Sequence, residues 1–222
     1  MNIAVLGTGL VGRTLAARLN GLGHDVAIGT RDVQATLGRS GEDALASWLD
    51  EHPGIRLMSF ADAGDHADVL VNVTHGAFAL DALAAVGEER MRGKILLDLA
   101  LPLDFSQGMP PTLLVANSDS LGEQIQRTYP DTRVVKALHT MFVAVMVEPS
   151  RVPGSHNVFV AGEDSAAKAL VEDLLRAFGW PDQAIIDLGG IRASRATEMY
   201  SRLFFELAGV FGDYDFNIAV VR

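Results

Sequence analysis

The stretch Asn2-Ile3-Ala4-Val5-Leu6-Gly7-Thr8-Gly9-Leu10-Val11-Gly12 organises the reading of the whole chain. Residues 3–6 are an uninterrupted apolar run with β-branched Ile3 and Val5, the pattern of a strand buried on both faces. Beyond the glycines, Val11, Leu15, Leu19 and Leu22 recur at helical spacing, and Gly21 and Gly23 offer a stop. Residues 25–29 then read as a second strand. The G-x-G-x-x-G pattern therefore lies between a strand and a helix, inside a strand–helix–strand unit of about thirty residues. Each glycine has a physical task there. Gly7 permits the tight turn, Gly9 lets the backbone approach a diphosphate, and Gly12 allows close helix–strand packing. The free amides and the dipole at the helix start attract phosphate oxygens. Gly7, Thr8, Gly9, Leu10, Val11 and Gly12 are thus the expected cradle of a dinucleotide.

Working outward, short apolar runs alternate with helical segments. Strands are expected at 55–58, 69–73, 95–99, 133–137, 157–161 and 184–188, the first of these weak. Helices are expected near 42–51, 77–86 and 170–178, the last closed by Gly179. Ser120-Leu121-Gly122-Glu123 resembles a capping box opening another helix to Tyr129. A long apolar helix occupies 191–210. This alternation predicts an α/β, Rossmann-like doubly wound, mostly parallel sheet with a C-terminal helical extension. Residues 1–188 form the nucleotide-binding domain in this reading, and 189–222 a helix and tail packed on it or on a partner subunit.

The end of the second strand bears on which dinucleotide is bound. An acidic residue there would hold both ribose hydroxyls. The chain instead reads Gly29-Thr30-Arg31-Asp32. A hydroxyl followed by a guanidinium suits a 2′-phosphate, since arginine offers charge-assisted, bidentate donors. Asp32 sits one step too far along to be the preferred ribose ligand, and Arg39 reads as a surface residue. NADP(H) is therefore expected over NAD(H), with Thr30 and Arg31 at the extra phosphate.

Ligands in such folds lie outside the carboxyl ends of the strands. Those ends carry Asn72-Val73-Thr74-His75, Leu99-Ala100-Leu101-Pro102 and Leu138-His139-Thr140-Met141. His75 and His139 are the two histidines so placed, each a hydrogen-bonding candidate or a structural cap. His24, His52, His66 and His156 read as solvated residues in loops or at element edges. No metal-binding spacing occurs, so no metal is expected.

Composition narrows the function classes. With no cysteine the chain can have no disulfide, thiolate nucleophile or cysteine-ligated metal. A formal charge of −10 disfavours nonspecific nucleic-acid binding and means that an anionic ligand must be held by local groups. No apolar run approaches the roughly 18 residues of a membrane span. Strand-like sequence starts at Asn2, leaving no room for a signal peptide, so a cytoplasmic location is expected.

Taken together, these residues resemble the family of coenzyme F420-dependent NADP oxidoreductases, particularly its short actinobacterial-type members. The similarity runs nearly the whole chain. It includes the N-terminal loop, Gly29-Thr30-Arg31-Asp32, the segment from Arg133 to Met141, and Asp187-Leu188-Gly189-Gly190-Ile191-Arg192-Ala193-Ser194-Arg195 with Asp215-Phe216-Asn217-Ile218. The resemblance implies hydride transfer between NADP(H) and the deazaflavin ring of coenzyme F420. It implies that Thr8, Gly9, Leu10 and Val11 face the pyrophosphate, that Thr30 and Arg31 meet the 2′-phosphate, and that Val73 and Thr74 line the nicotinamide side. His139 and Met141 would stand beside the stacked rings, with His139 or a backbone amide able to stabilise charge or a proton arising on the deazaflavin. One departure concerns the substrate side: archaeal members read Ile-Pro-Trp where this chain has Val73-Thr74-His75.

Direct hydride transfer needs positioning and exclusion of water more than acid–base machinery. Two other readings stay open on the residues alone. One is an NADPH reductase of another acceptor (an imine, a ketone or a free flavin), with His75, His139 or Tyr200 as proton donor. The other is a non-catalytic NADP(H)-binding sensor, which would not need the apolar shelf of Leu101, Met141 and Phe142. Small-molecule coenzymes are the expected partners. Leu203, Phe204, Phe205, Leu207 and Val210 cover more than one face of the last helix, which points to burial under the sheet or in a homo-oligomer interface.

Overall fold

The computed structural model describes residues 1–41 and 44–222. Eight strands form one sheet: β1 (Asn2–Leu6), β2 (Asp25–Thr30), β3 (Ile55–Ser59), β4 (Val69–Asn72), β5 (Ile95–Asp98), β8 (Arg133–Ala137), β9 (Val158–Ala161) and β10 (Ile185–Asp187). The two-residue strands β6 (Leu103–Asp104) and β7 (Thr112–Leu113) pair separately as a small antiparallel ribbon. The helices are α1 (Leu10–Gly21), α2 (Val33–Leu37), α3 (Leu45–Glu51), α4 (Phe60–His66), α5 (Ala79–Val86), α6 (Glu88–Met91), α7 (Leu121–Thr128), α8 (Val143–Val147), α9 (Ser165–Phe178) and α10 (Ser194–Phe211). The expected helix over 42–51 is α3, with positions 42 and 43 outside the described residues.

The sheet order is β10-β9-β8-β5-β4-β1-β2-β3. All neighbours are parallel except β8 and β9. The apolar run of β1 explains its central place. Ile3 and Val5 join the core on one face of the sheet, and Ala4 and Leu6 the core on the other. Each fully buried aliphatic side chain of this kind contributes roughly 1.5–3 kcal/mol. Leu15 and Leu19 of α1, Val145 of α8 and Val171 and Phe178 of α9 cover the first face. Phe60 of α4, Leu83 of α5 and Ile125 of α7 cover the second. Among the described residues no helix is long and apolar enough to cross a membrane.

Two local features differ from expectation. Ser120 caps α7 through the Glu123 N–H, but the return bond of the capping box is missing. The Glu123 carboxylate instead accepts from the Ser120 hydroxyl and, bidentately, from Arg195 of α10. The last helix is also two-sided rather than buried all round. Thr197, Glu198, Ser201, Phe204 and Ala208 face the protein, whereas Met199, Leu203, Val210 and Phe211 are exposed.

Candidate active site

The chain fills the sheet from β1 to β3 in one direction and from β4 to β8 in the other, so the order reverses between β1 and β4. A crevice opens there, outside the carboxyl ends of both strands. Gly7 leaves β1 with φ 133°, a conformation that strains any residue with a Cβ. A Cβ on Gly12 would stand 2.1 Å from the Gly7 carbonyl oxygen, so α1 is packed against its own entry loop. Gly9 is the N-cap of α1, and no side chain satisfies the first amides of the helix. No atom lies within 4 Å of a Cβ position on Gly9. The result is an open cluster of N–H donors at the positive end of a 12-residue helix, suited to an anion.

A groove of about 500 Å³ runs from these amides to the end of β2. Thr30 is buried, and its hydroxyl lies 2.8 Å from that of Thr36. Arg31 is exposed on the groove wall and forms no ion pair or hydrogen bond among the described residues. Asp32 is occupied otherwise: its carboxylate caps α2 by accepting from the Ala35 N–H at 2.9 Å. That is a structural use for the acid that follows Arg31. Arg39, read from the sequence as a surface residue, is exposed yet also lines the groove.

A second cavity, about 480 Å³ and mostly apolar, shares the wall Val73-Thr74-His75 with the first. Val11, Leu101, Met141 and Phe142 line it, and Phe204, Phe205 and Tyr214 close it from the C-terminal side. Tyr214 stacks on Phe142 with ring centroids 4.9 Å apart. Leu138 ends β8 with φ 68°, at a cost of order 1–3 kcal/mol for a non-glycine residue. Its neighbour His139 forms part of the cavity wall, 5% exposed, and neither ring nitrogen makes a hydrogen bond of good geometry, the Ala137 backbone being the one polar group close enough to act on the ring. Burial, and then the nearby Lys136 charge, hold the His139 pKa well below the ordinary histidine value. The imidazole is therefore neutral near pH 7.

Beneath the shared wall lies a buried polar chain. Lys136 places Nζ 2.8 Å from Asp98 Oδ2 and 3.0 Å from Glu198 Oε1, and also donates to the Ala100 carbonyl. Burial works against the Lys136 ammonium, but the two carboxylates outweigh it and raise its pKa. Asp98 accepts from Asn72 Nδ2 at 2.7 Å, and Asn72 Oδ1 accepts from both the hydroxyl and the N–H of Thr74. At the far end, Glu198 accepts from the N–H groups of Leu121 and Gly122. The chain thus joins three strands to α7 and α10.

Of the expected site residues, Gly7, Thr8, Gly9, Thr30, Arg31, Val73 and Thr74 line the nucleotide groove. Val11, Val73, Thr74, His139 and Met141 line the apolar cavity. Gly12 lies underneath as a packing residue, and the Leu10 side chain is 62% exposed and lines neither cavity. His75 caps the turn at Gly76–Phe78, accepting from the Ala77 N–H, and packs near Phe78 and Phe105. His156 is not a solvated loop residue. It is buried, bonded to the Pro149 carbonyl and Asn217, and edge-on to Trp180. Sequence reasoning missed Thr36, the Phe204–Tyr214 roof, and the Asn72, Asp98, Lys136 and Glu198 chain. A signal for three of these exists: each polar side chain interrupts or ends an otherwise apolar, doubly buried strand.

This doubly wound sheet, with a glycine-shaped amide cradle at its switch point, defines a dinucleotide-binding protein of the Rossmann class. The profile of a family described as NADP oxidoreductase, coenzyme F420-dependent, matches residues 2–102. A crystal structure of an Arthrobacter sp. FB24 protein, provisionally named an F420-dependent NADP-reductase, is 52% identical over the full length of both chains with a TM-score of 0.96. The F420-dependent NADP reductase of Methanocaldococcus jannaschii is 29% identical over 211 residues, 93% of this chain and 92% of that one. The rat metalloreductase STEAP3 is 24% identical over 88% of this chain, which spans only 35% of that protein. The chain belongs to the coenzyme F420-dependent NADP oxidoreductase family, and it is an NADP oxidoreductase.

Proposed function

We propose that the chain transfers a hydride between the nicotinamide of NADP(H) and the deazaflavin ring of coenzyme F420. The observation carrying this reading is the pair of cavities with one common wall at Val73–His75. One cavity runs from the amide cradle to the Arg31 guanidinium, which has no partner among the described residues. The other is an apolar slot holding a buried imidazole, as a flat ring system with a few polar edge atoms requires. When both coenzymes are bound, they supply direct carbon-to-carbon hydride transfer.

The chain's own tasks follow from its geometry. The amides after Gly9 hold the diphosphate, Arg31 with Arg39 beside it holds the 2′-phosphate, and Thr30 supports them through its bond to Thr36. Val73, Thr74 and Met141 fix the plane of the nicotinamide, while Leu101, Met141 and Phe142 exclude water. His139, neutral and without a well-formed hydrogen bond, offers a ring nitrogen to the edge of the second ring. It would act by hydrogen bonding, not as an acid, since its proton-rich form is suppressed. Tyr200 lines neither cavity, so it does not support the proton delivery that ketone or imine reduction needs. His75 lines both cavities, and because its Nδ1 accepts from the Ala77 N–H, its proton sits on Nε2; His75 is the donor that the imine or ketone reading would use.

The test is anaerobic mixing of protein, NADPH and oxidised F420, following loss of the deazaflavin's visible absorbance. Parallel arms use NADH, free flavin and a cyclic imine. Bleaching with NADPH and F420 supports the proposal. Turnover of flavin or imine alone would replace the acceptor, and binding without turnover of any acceptor would favour a sensor.

A further inference from the structure

The buried chain under the shared wall has a fixed direction, and the direction dictates what Thr74 offers a ligand. Lys136 is donor-only, and its three N–H groups are taken by Asp98, Glu198 and the Ala100 carbonyl. Asp98 accepts at both oxygens: from Lys136 on one, and from Asn72 Nδ2 and the Ala100 N–H on the other. A carboxylate beside Asn72 forces the amide's NH₂ toward it and the carbonyl oxygen away. The Thr74 N–H, 3.2 Å from Asn72 Oδ1, enforces the same orientation independently. An amide oxygen only accepts, so the Thr74 hydroxyl, 2.7 Å away, must spend its one proton on Asn72. What remains toward the crevice is lone pairs.

We infer that Thr74 Oγ1 is an obligate hydrogen-bond acceptor in the shared wall, its polarity set from the core by Lys136 through Asp98 and Asn72, and that it selects the carboxamide N–H₂ of the nicotinamide. This rests on the proposed placement of the nicotinamide where the two cavities meet. Thr74 is then a specificity-determining contact. Asn72, Asp98 and Lys136 are positioning residues that forbid its hydroxyl from turning round.

The test compares the affinities of NADP⁺ and of its 3-acetylpyridine analogue, by calorimetry and without turnover. The analogue replaces the carboxamide NH₂ with a methyl and keeps the carbonyl. Wild-type protein should prefer NADP⁺ by about five- to tenfold, the worth of one net hydrogen bond. Thr74→Ser should keep the preference and the near-isosteric Thr74→Val should erase it. Asn72→Ala, checked for a cooperative melt, frees the hydroxyl to donate. The analogue's acetyl group can then turn its carbonyl toward Thr74 and accept, so the ratio should narrow because the analogue binds better, not because NADP⁺ binds worse. NADP⁺ binding with an unchanged ratio in Thr74→Val overturns this inference alone. No binding of NADP⁺ to wild-type protein overturns the nucleotide placement and the inference with it.

Discussion

Lys136 on β8 and Glu198 on α10 meet at 3.0 Å with both side chains almost wholly removed from water. This pair, completed by Asp98, ties the last helix to the centre of the sheet. A buried ion pair is weak evidence of net stabilisation, but removing one partner leaves the other charge without compensation. Lys136→Met should therefore cost about 3–5 kcal/mol, because it strands two carboxylates at once. Chemical denaturation would measure it, and a loss below about 1 kcal/mol would show that the carboxylates find other partners or protonate cheaply.

Gly9 and Gly12 should fail in different ways when given a methyl group. Gly12→Ala drives a Cβ into the Gly7 carbonyl, so both folding stability and nucleotide affinity should fall. Gly9→Ala meets nothing in the free protein and should melt like wild type while NADPH affinity drops at least about tenfold. Thermal melts with and without NADPH separate the two, and a destabilised Gly9→Ala would contradict the open cradle.

Arg31 has no partner among the described residues, so its removal tests the proposed phosphate contact with little structural noise. Arg31→Ala should weaken NADPH binding by about tenfold to a hundredfold, as expected for a charge-assisted hydrogen bond, and leave NADH binding unchanged. Equal losses for both dinucleotides would move the 2′-phosphate elsewhere.

His139 makes stability depend on pH with a definite sign. Its folded pKa is depressed below the ordinary value of 6.5, so the unfolded chain takes up a proton that the folded chain refuses. Stability from this group is complete above about pH 6.5 and declines as pH falls below it. His139→Leu should flatten the stability profile between about pH 7 and pH 5. An unchanged slope would mean that the ring can turn to water when protonated.

The exposed face of α10 gives the expected self-association a concrete form. Leu203, Val210 and Phe211 are each more than half exposed, and the helix is held rigidly behind them by Glu198 and Arg195. Light scattering should give twice the monomer mass, and the double substitution Leu203→Glu with Val210→Glu should return a monomer. A wild-type monomer at high concentration would sink the idea.

Much of this architecture is legible in residue order. The run from Ile3 to Leu6, the spaced glycines and the strand–helix alternation locate the crevice, and Thr30-Arg31 marks one end of it. Short helices such as α2, α4 and α8 escape notice because they span fewer than two turns, too little for a 3.6-residue period to emerge. The roof of the apolar cavity escapes for another reason. Phe204, Phe205 and Tyr214 meet Val11 and Thr74 only through tertiary packing. Periodicity finds the buried face of α10 but not what it is buried against. The Lys136 chain is similar: Asn72, Asp98 and Glu198 are far apart in sequence, and their partnership exists only across neighbouring strands and the helix α10 that meets them.

The two cavities differ in where their walls originate along the chain. Every residue lining the nucleotide groove lies at or before Ala82. The apolar cavity borrows Val11 and the Val73–Gly76 segment from that half, but otherwise draws on residues from Leu99 to Tyr214. Under the proposed function, cofactor use and acceptor choice would be encoded in nearly separate halves of the sequence. On the proposed placement, substitution after position 98 would reshape the acceptor slot and leave the diphosphate cradle untouched, Met141 at the nicotinamide excepted. The other exception is the common wall, where Thr74 answers to both halves at once, and a change there cannot retune one coenzyme without disturbing the other.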